Sequence, residues 1–112
     1  MLAKADISLL LDYYGSFLTE RRRELMRMSA DEDMSLAEIA EQAGVSRQSV
    51  RDSIAKGSAE LLLFEERLGL ASRDRQLAAV ASALEQAASS ASEGELRQTV
   101  LKEAKRLRDY IR

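Results

Sequence analysis

Two clusters of side chains in this 112-residue chain have the types and spacing for chemistry. The first is Ser46-Arg47-Gln48-Ser49-Val50-Arg51. On a helix, Arg47, Gln48 and Arg51 share one face. An arginine can donate to O6 and N7 of guanine, and a glutamine can pair with adenine. Ser46 and Ser49 stand where a helix N-terminus offers donors to phosphate. The second cluster is Arg21-Arg22-Arg23, three guanidinium groups suited to phosphate oxygens. A third group, Asp31-Glu32-Asp33, has metal-binding atoms. It lacks the alternating ligands and central glycine of a calcium loop and reads as a solvated turn.

The missing residue types exclude other chemistry. The chain has no Cys and no His, hence no disulfide, thiolate nucleophile, imidazole base or usual zinc site. Asp12-Tyr13-Tyr14 is the one polar cluster with aromatic company, and helical spacing accounts for it better than catalysis. No enzyme, cofactor or metal is expected. No apolar run is long enough for a transmembrane helix, and the first residues lack a signal-peptide layout, so the reading is cytoplasmic, without membrane insertion. The formal net charge of −2 argues against strong nonspecific affinity for nucleic acid. Through Leu70 the chain carries 9 basic against 13 acidic residues, but the positive charges concentrate in the two clusters above.

The elements that must hold these clusters are helical. Pro is absent, aromatics are 4%, and Ala, Leu, Glu and Arg are abundant. Apolar residues at 7, 10, 11, 14, 17 and 18 mark one face of a first helix, with Asp6 as its N-cap and Gly15 near its end. Thr19 caps a second helix that turns Leu25, Met26 and Ala30 inward. Ser35 and Glu38 form a capping box for a third, with Leu36, Ile39, Ala40 and Ala43 on one face. Gly44 ends it and Val45 plugs the turn. Ser46 then caps a long helix running to about residue 68, where Gly69 stops it. Its seam is Val50, Ile54, Gly57, Leu61, Phe64 and Leu68. Gly57 on that seam requires either a close helix crossing or a bend.

The layout of 36–54 is that of a helix-turn-helix. Ala40 is small enough for a helix contact, Gly44 tolerates the positive φ of a tight corner, and Val50 docks the second helix on the first. Such a unit presents its second helix to a DNA major groove. Beyond residue 70, an Ala-rich helix over 72–91 carries a weak stripe of Leu77, Val80, Ala81 and Leu84. A last helix over 95–112 carries Leu96, Val100, Ala104, Leu107 and Ile111. The expected class is all-α, with a helix-turn-helix domain over 1–70 and a C-terminal helical extension over 71–112. The seam and the terminal stripe are also suited to a partner helix or a homodimer.

Four stretches carry a resemblance. They are Leu11-Asp12-Tyr13-Tyr14-Gly15-Ser16-Phe17-Leu18-Thr19-Glu20-Arg21, Ser35-Leu36-Ala37-Glu38-Ile39-Ala40, Val45-Ser46-Arg47-Gln48-Ser49-Val50-Arg51-Asp52-Ser53-Ile54, and Phe64-Glu65-Glu66-Arg67-Leu68-Gly69-Leu70. Together they resemble the YlxM family, small bacterial helix-turn-helix proteins similar to region 4 of sigma factors. The resemblance spans roughly 6–70. It implies an all-helical fold and a regulatory role linked to the signal recognition particle. The implied partners are DNA, the particle's RNA, or its GTPase. Arg51 stands where the family commonly has Tyr, and Ala55-Lys56-Gly57-Ser58-Ala59 is less basic than usual.

Overall fold

In the computed structural model, which describes residues 2–111, every long element is a helix. The order is α1 (Lys4–Tyr14), a short 3-10 turn (Gly15–Phe17), α2 (Glu20–Ala30), α3 (Leu36–Ala43), α4 (Arg47–Leu68), α5 (Leu70–Ser90) and α6 (Glu95–Tyr110). The chain divides into two compact units, one ending at Gly69 and one starting at Leu70.

In the first unit, local sequence sets the helix ends. Thr19 accepts a hydrogen bond from the Arg22 amide at 3.2 Å and starts α2. At α3 both halves of the capping box form, Ser35 Oγ with the Glu38 amide and Glu38 Oε1 with the Ser35 amide. The Ser35 amide that donates to the carboxylate, and after it the Ser35 hydroxyl beside it, hold the Glu38 carboxyl below the usual carboxylate range. α1 differs from expectation. Its N-cap is Ala3, and Asp6 lies inside the first turn, where its charge favours the positive end of the helix dipole without a capping bond.

The core follows the apolar faces with instructive exceptions. Leu25, Met28, Ile39, Ala40 and Val50 form a buried cluster, with Met34, Leu36, Ala43, Val45 and Ile54 packed on it. Ile7, Leu10, Leu11, Tyr14 and Leu18 are buried on the α1 side. Phe17 is not: it is 60% exposed, resting its ring 5.3 Å from that of Phe64. The 3-10 turn at Gly15–Phe17 breaks the α-helical phase that would have carried Phe17 inward. Leu68 also leaves the seam, at 54% exposed. Leu68 lies five full turns from Val50, at the same helical angle, so its exposure marks where the buried stretch of α4 ends, at Leu61, and not a change of phase. Ser58 is buried beside Gly57. At the middle of the seam, Gly57 lies under α2: a Cβ there would stand 2.2 Å from Met26 Sδ. The glycine marks a close crossing.

In the second unit, α5 and α6 pack against each other across a loop over 91–94. α5 begins at Leu70, two residues earlier than its sequence suggests. Its buried positions are Ala71, Asp74, Ala81 and Ala88, and α6 buries Ala104. Val80 and Leu84 of the expected stripe are exposed, and Leu96 on α6 is 79% exposed. Alanine faces let two helices approach closely, and the larger residues are displaced to the sides of the contact. Arg108 spans the pair, donating to Ser82 Oγ at 2.7 Å and to Glu85. No described helix is long and apolar enough to cross a membrane.

Candidate nucleic-acid interface

The corner between α3 and α4 is built on three residues. Gly44 takes the left-handed conformation, φ 71°, with open space where a Cβ would stand. The Val45 amide closes back on the Ala40 carbonyl at 3.1 Å, which gives that carbonyl a partner at the helix end. Ser46 is extended, φ −77° and ψ 157°, and its Oγ accepts from the Ser49 amide at 3.0 Å. The fully buried Val50 then locks α4 onto α3.

This geometry sorts the candidate residues. Arg47, Gln48, Ser49 and Arg51 are exposed at the start of α4. Arg47 and Arg51 are one helical turn apart and enter no ion pair or hydrogen bond among the described residues. The amides of Arg47 and Gln48 sit in the first turn, which has no intrahelical acceptors for them. Gln48 is tethered: its Nε2 donates to Asp52 Oδ1 at 2.8 Å.

The arginine triplet on α2 is engaged elsewhere. Arg21 donates through Nη2 to the Ala43 carbonyl at 3.0 Å, bracing the last turn of α3. Arg22 is half-buried between α2 and α4, donating to Ser53 Oγ at 3.4 Å and pairing with Glu60. Arg23 lays its aliphatic stem over Gly15. These three therefore tie the first unit together, and Arg21 remains exposed enough to reach outward as well.

An open cleft of about 470 Å³ runs beside α4, with Arg22 at its wall and Ser46, Ser49, Ser53 and Lys56 along it. Ser53 and Lys56 escaped the sequence reading. Their signal was the spacing 46, 49, 53, 56, a polar stripe at helical period beside the apolar seam.

The remaining sequence candidates fall away from this face. Asp33 adopts φ 51° in the acidic turn and pairs with Lys4, which lowers its carboxyl below the usual range. Asp31 accepts a hydrogen bond from Ser8. No group of three metal-ligating side chains occurs among the described residues. Tyr14 is fully buried, donates to Glu65 Oε1 at 2.6 Å, and has its ring between those of Tyr13 and Phe64.

Comparison with known proteins agrees with this architecture. Residues 2–103 match the UPF0122 family model, described as "Putative helix-turn-helix protein, YlxM / p13 like". The chain belongs to the UPF0122 family. A UPF0122 protein of Desulforamulus reducens is 49% identical over 70 residues, 62% of this chain and 60% of the relative. One from Symbiobacterium thermophilum is 51% identical over 72 residues, 63% of this chain and 67% of the relative. One from Clostridium botulinum is 45% identical over 67 residues, 60% and 62%. The chain thus spans about 60% of the length of the first of these UPF0122 relatives. No solved structure matches it.

Proposed function

We propose that this UPF0122 protein is a non-enzymatic regulator that reads duplex DNA with the first turns of α4. The carrying observation is the pair Arg47 and Arg51: exposed, unpartnered among the described residues and one turn apart behind a capped, glycine-cornered helix start. In B-DNA a helix so presented enters the major groove and such arginines reach base edges. The serine stripe and Lys56 supply phosphate contacts alongside. Duplex RNA fits less well, because its major groove is too deep and narrow for a helix to read. The reading domain is 1–70, and 71–112 is a helical extension. In this reading the regulator works in the cytoplasm and in the signal recognition particle pathway that a resemblance to YlxM proteins implies, where the particle's RNA and GTPase are the competing partners.

The test is fluorescence anisotropy on duplex DNA across a salt series. Affinity should fall steeply with salt. Arg47→Ala with Arg51→Ala should cost about 1–3 kcal/mol for each arginine that reads a base. Unchanged affinity in the double variant removes α4 from the mechanism.

A second reading, a homodimer or partner-helix module, is favoured by one observation: Leu62, Leu63 and Leu68 are each about half exposed on the later turns of α4. Sedimentation over a range of concentrations separates it. A strict monomer rejects the dimer.

A further inference from the structure

Asp52 is an anomaly on a face that is to approach phosphates. A carboxylate there repels the DNA backbone, and no basic side chain neutralises it among the described residues. What it does hold is the Gln48 amide, at 2.8 Å, one turn away on the same helix.

The chemistry of that bond has a directional consequence. A free glutamine amide rotates about its terminal torsion, which has a broad two-fold profile. It can therefore offer either its carbonyl or its NH2 to a given base edge. An ionised carboxylate only accepts hydrogen bonds. With Asp52 as its neighbour, Gln48 must turn Nε2 toward the helix, which fixes Oε1 on the other side. One N–H is spent on Asp52. The carbonyl oxygen and the second N–H remain free to face the groove.

An acceptor beside a donor is the complement of one base edge. Adenine shows an N6 amino donor beside the N7 acceptor in the major groove. Guanine shows two acceptors, O6 and N7, and would face the Gln48 carbonyl with repulsion. Cytosine offers a donor and thymine an acceptor, so each satisfies half of the pair. We infer that Asp52 is a positioning residue that orients Gln48 for adenine, so that this helix selects an A·T pair within its site. Arg47 and Arg51, with donors only, suit guanines on either side of it. The inference rests on the DNA-reading function proposed above and names the base that function selects.

The experiment is selection from a pool of duplexes with a randomised core, followed by anisotropy on the enriched sequence and its single-base variants. Four full-length proteins are compared: wild type, Asp52→Ala, Asp52→Asn and Gln48→Ala. Both positions are exposed, so none of the variants disturbs the core. Wild type should discriminate adenine at one position by about 5- to 150-fold, the range of one good bidentate pair. Gln48→Ala should abolish preference at that position alone. Asp52→Ala should bind all duplexes more tightly through the lost repulsion, yet fall to about twofold discrimination there. Asp52→Asn keeps an acceptor for Nε2 and should restore most of the adenine preference without the charge. A purely electrostatic role for Asp52 predicts that Ala and Asn behave alike, which overturns the inference. So does an Asp52→Ala protein that selects adenine as well as wild type. A wild-type protein that enriches no sequence refutes the DNA-reading function itself, and this inference with it.

Discussion

Replacing Gly57 with alanine tests whether the α2–α4 crossing is set by sterics. In an open helix the change would stabilise by about 1 kcal/mol, because glycine is a poor helix former. Here the new methyl would stand 2.2 Å from Met26 Sδ and 3.1 Å from Met26 Cε and Arg22 Cδ. Ordinary carbon contacts lie at about 3.5–4.0 Å, so the sulfur must retreat by well over 1 Å. Met26 is fully buried and has little room to do so. Overpacking of this kind costs about 1–3 kcal/mol. The net expectation is a loss of about 1 kcal/mol, or roughly 4–8 °C in the melting temperature of a unit this size. The decisive comparison repeats the change in a Met26→Ala background. That substitution alone should cost about 2–5 kcal/mol and leave a cavity. The methyl added by Gly57→Ala fits into that cavity, so the change should become stabilising. Urea unfolding, followed through amide-exchange protection of α2 and α4, measures all four corners of the cycle. If Gly57→Ala has the same sign and size in both backgrounds, the glycine is not there for the crossing.

Other expectations follow from the same structure. Ser35→Ala removes the α3 cap and should cost about 1 kcal/mol in urea unfolding. Because the Glu38 carboxyl is held below its ordinary value in the folded state, its stabilisation is complete above the ordinary glutamate range and is lost as pH falls through the folded value. Glu38→Gln should flatten that acid-side slope in pH-dependent melting. Gly44→Ala, at φ 71° with no neighbour near its Cβ, should cost only backbone strain, about 1–2 kcal/mol in thermal melting, with Gly44→Asn milder. Arg22→Ala should lower stability by less than about 1 kcal/mol, its ion pair being partly exposed, and leave the salt dependence of DNA binding unchanged. Lys56→Ala should do the reverse, reducing the salt slope by about 1 at unchanged melting temperature.

What was legible in the residues divides along a physical line. Thr19, Ser35, Glu38, Gly44, Ser46 and Gly69 act within a few positions of themselves, and each sits where its local chemistry placed it. Phe17, Leu68, Val80 and Leu84 differ from the pattern because their burial depends on the phase of a 3-10 turn, on how far along α4 the core extends, and on how closely two alanine faces meet. None of these is a local property. The candidate interface shows the same split. That Arg47 and Arg51 point outward follows from Val50 and Ile54 pointing in. That Arg21 is tied to the Ala43 carbonyl and Arg22 to Glu60 and Ser53 depends on helices brought together from distant parts of the chain. Composition treats every arginine as a free charge; packing decides which ones are.

The sulfur beneath Gly57 has a chemical consequence of its own. A thioether converted to its sulfoxide becomes polar and larger, and the space at Met26 admits neither change while the helices stay together. Peroxide therefore reaches that atom only in molecules whose first unit has opened, whereas Met34, half-buried at the head of α3, lies within easier reach. The ratio of the two oxidation rates, read by mass spectrometry, turns one side chain into an internal clock for how often this small bundle breathes.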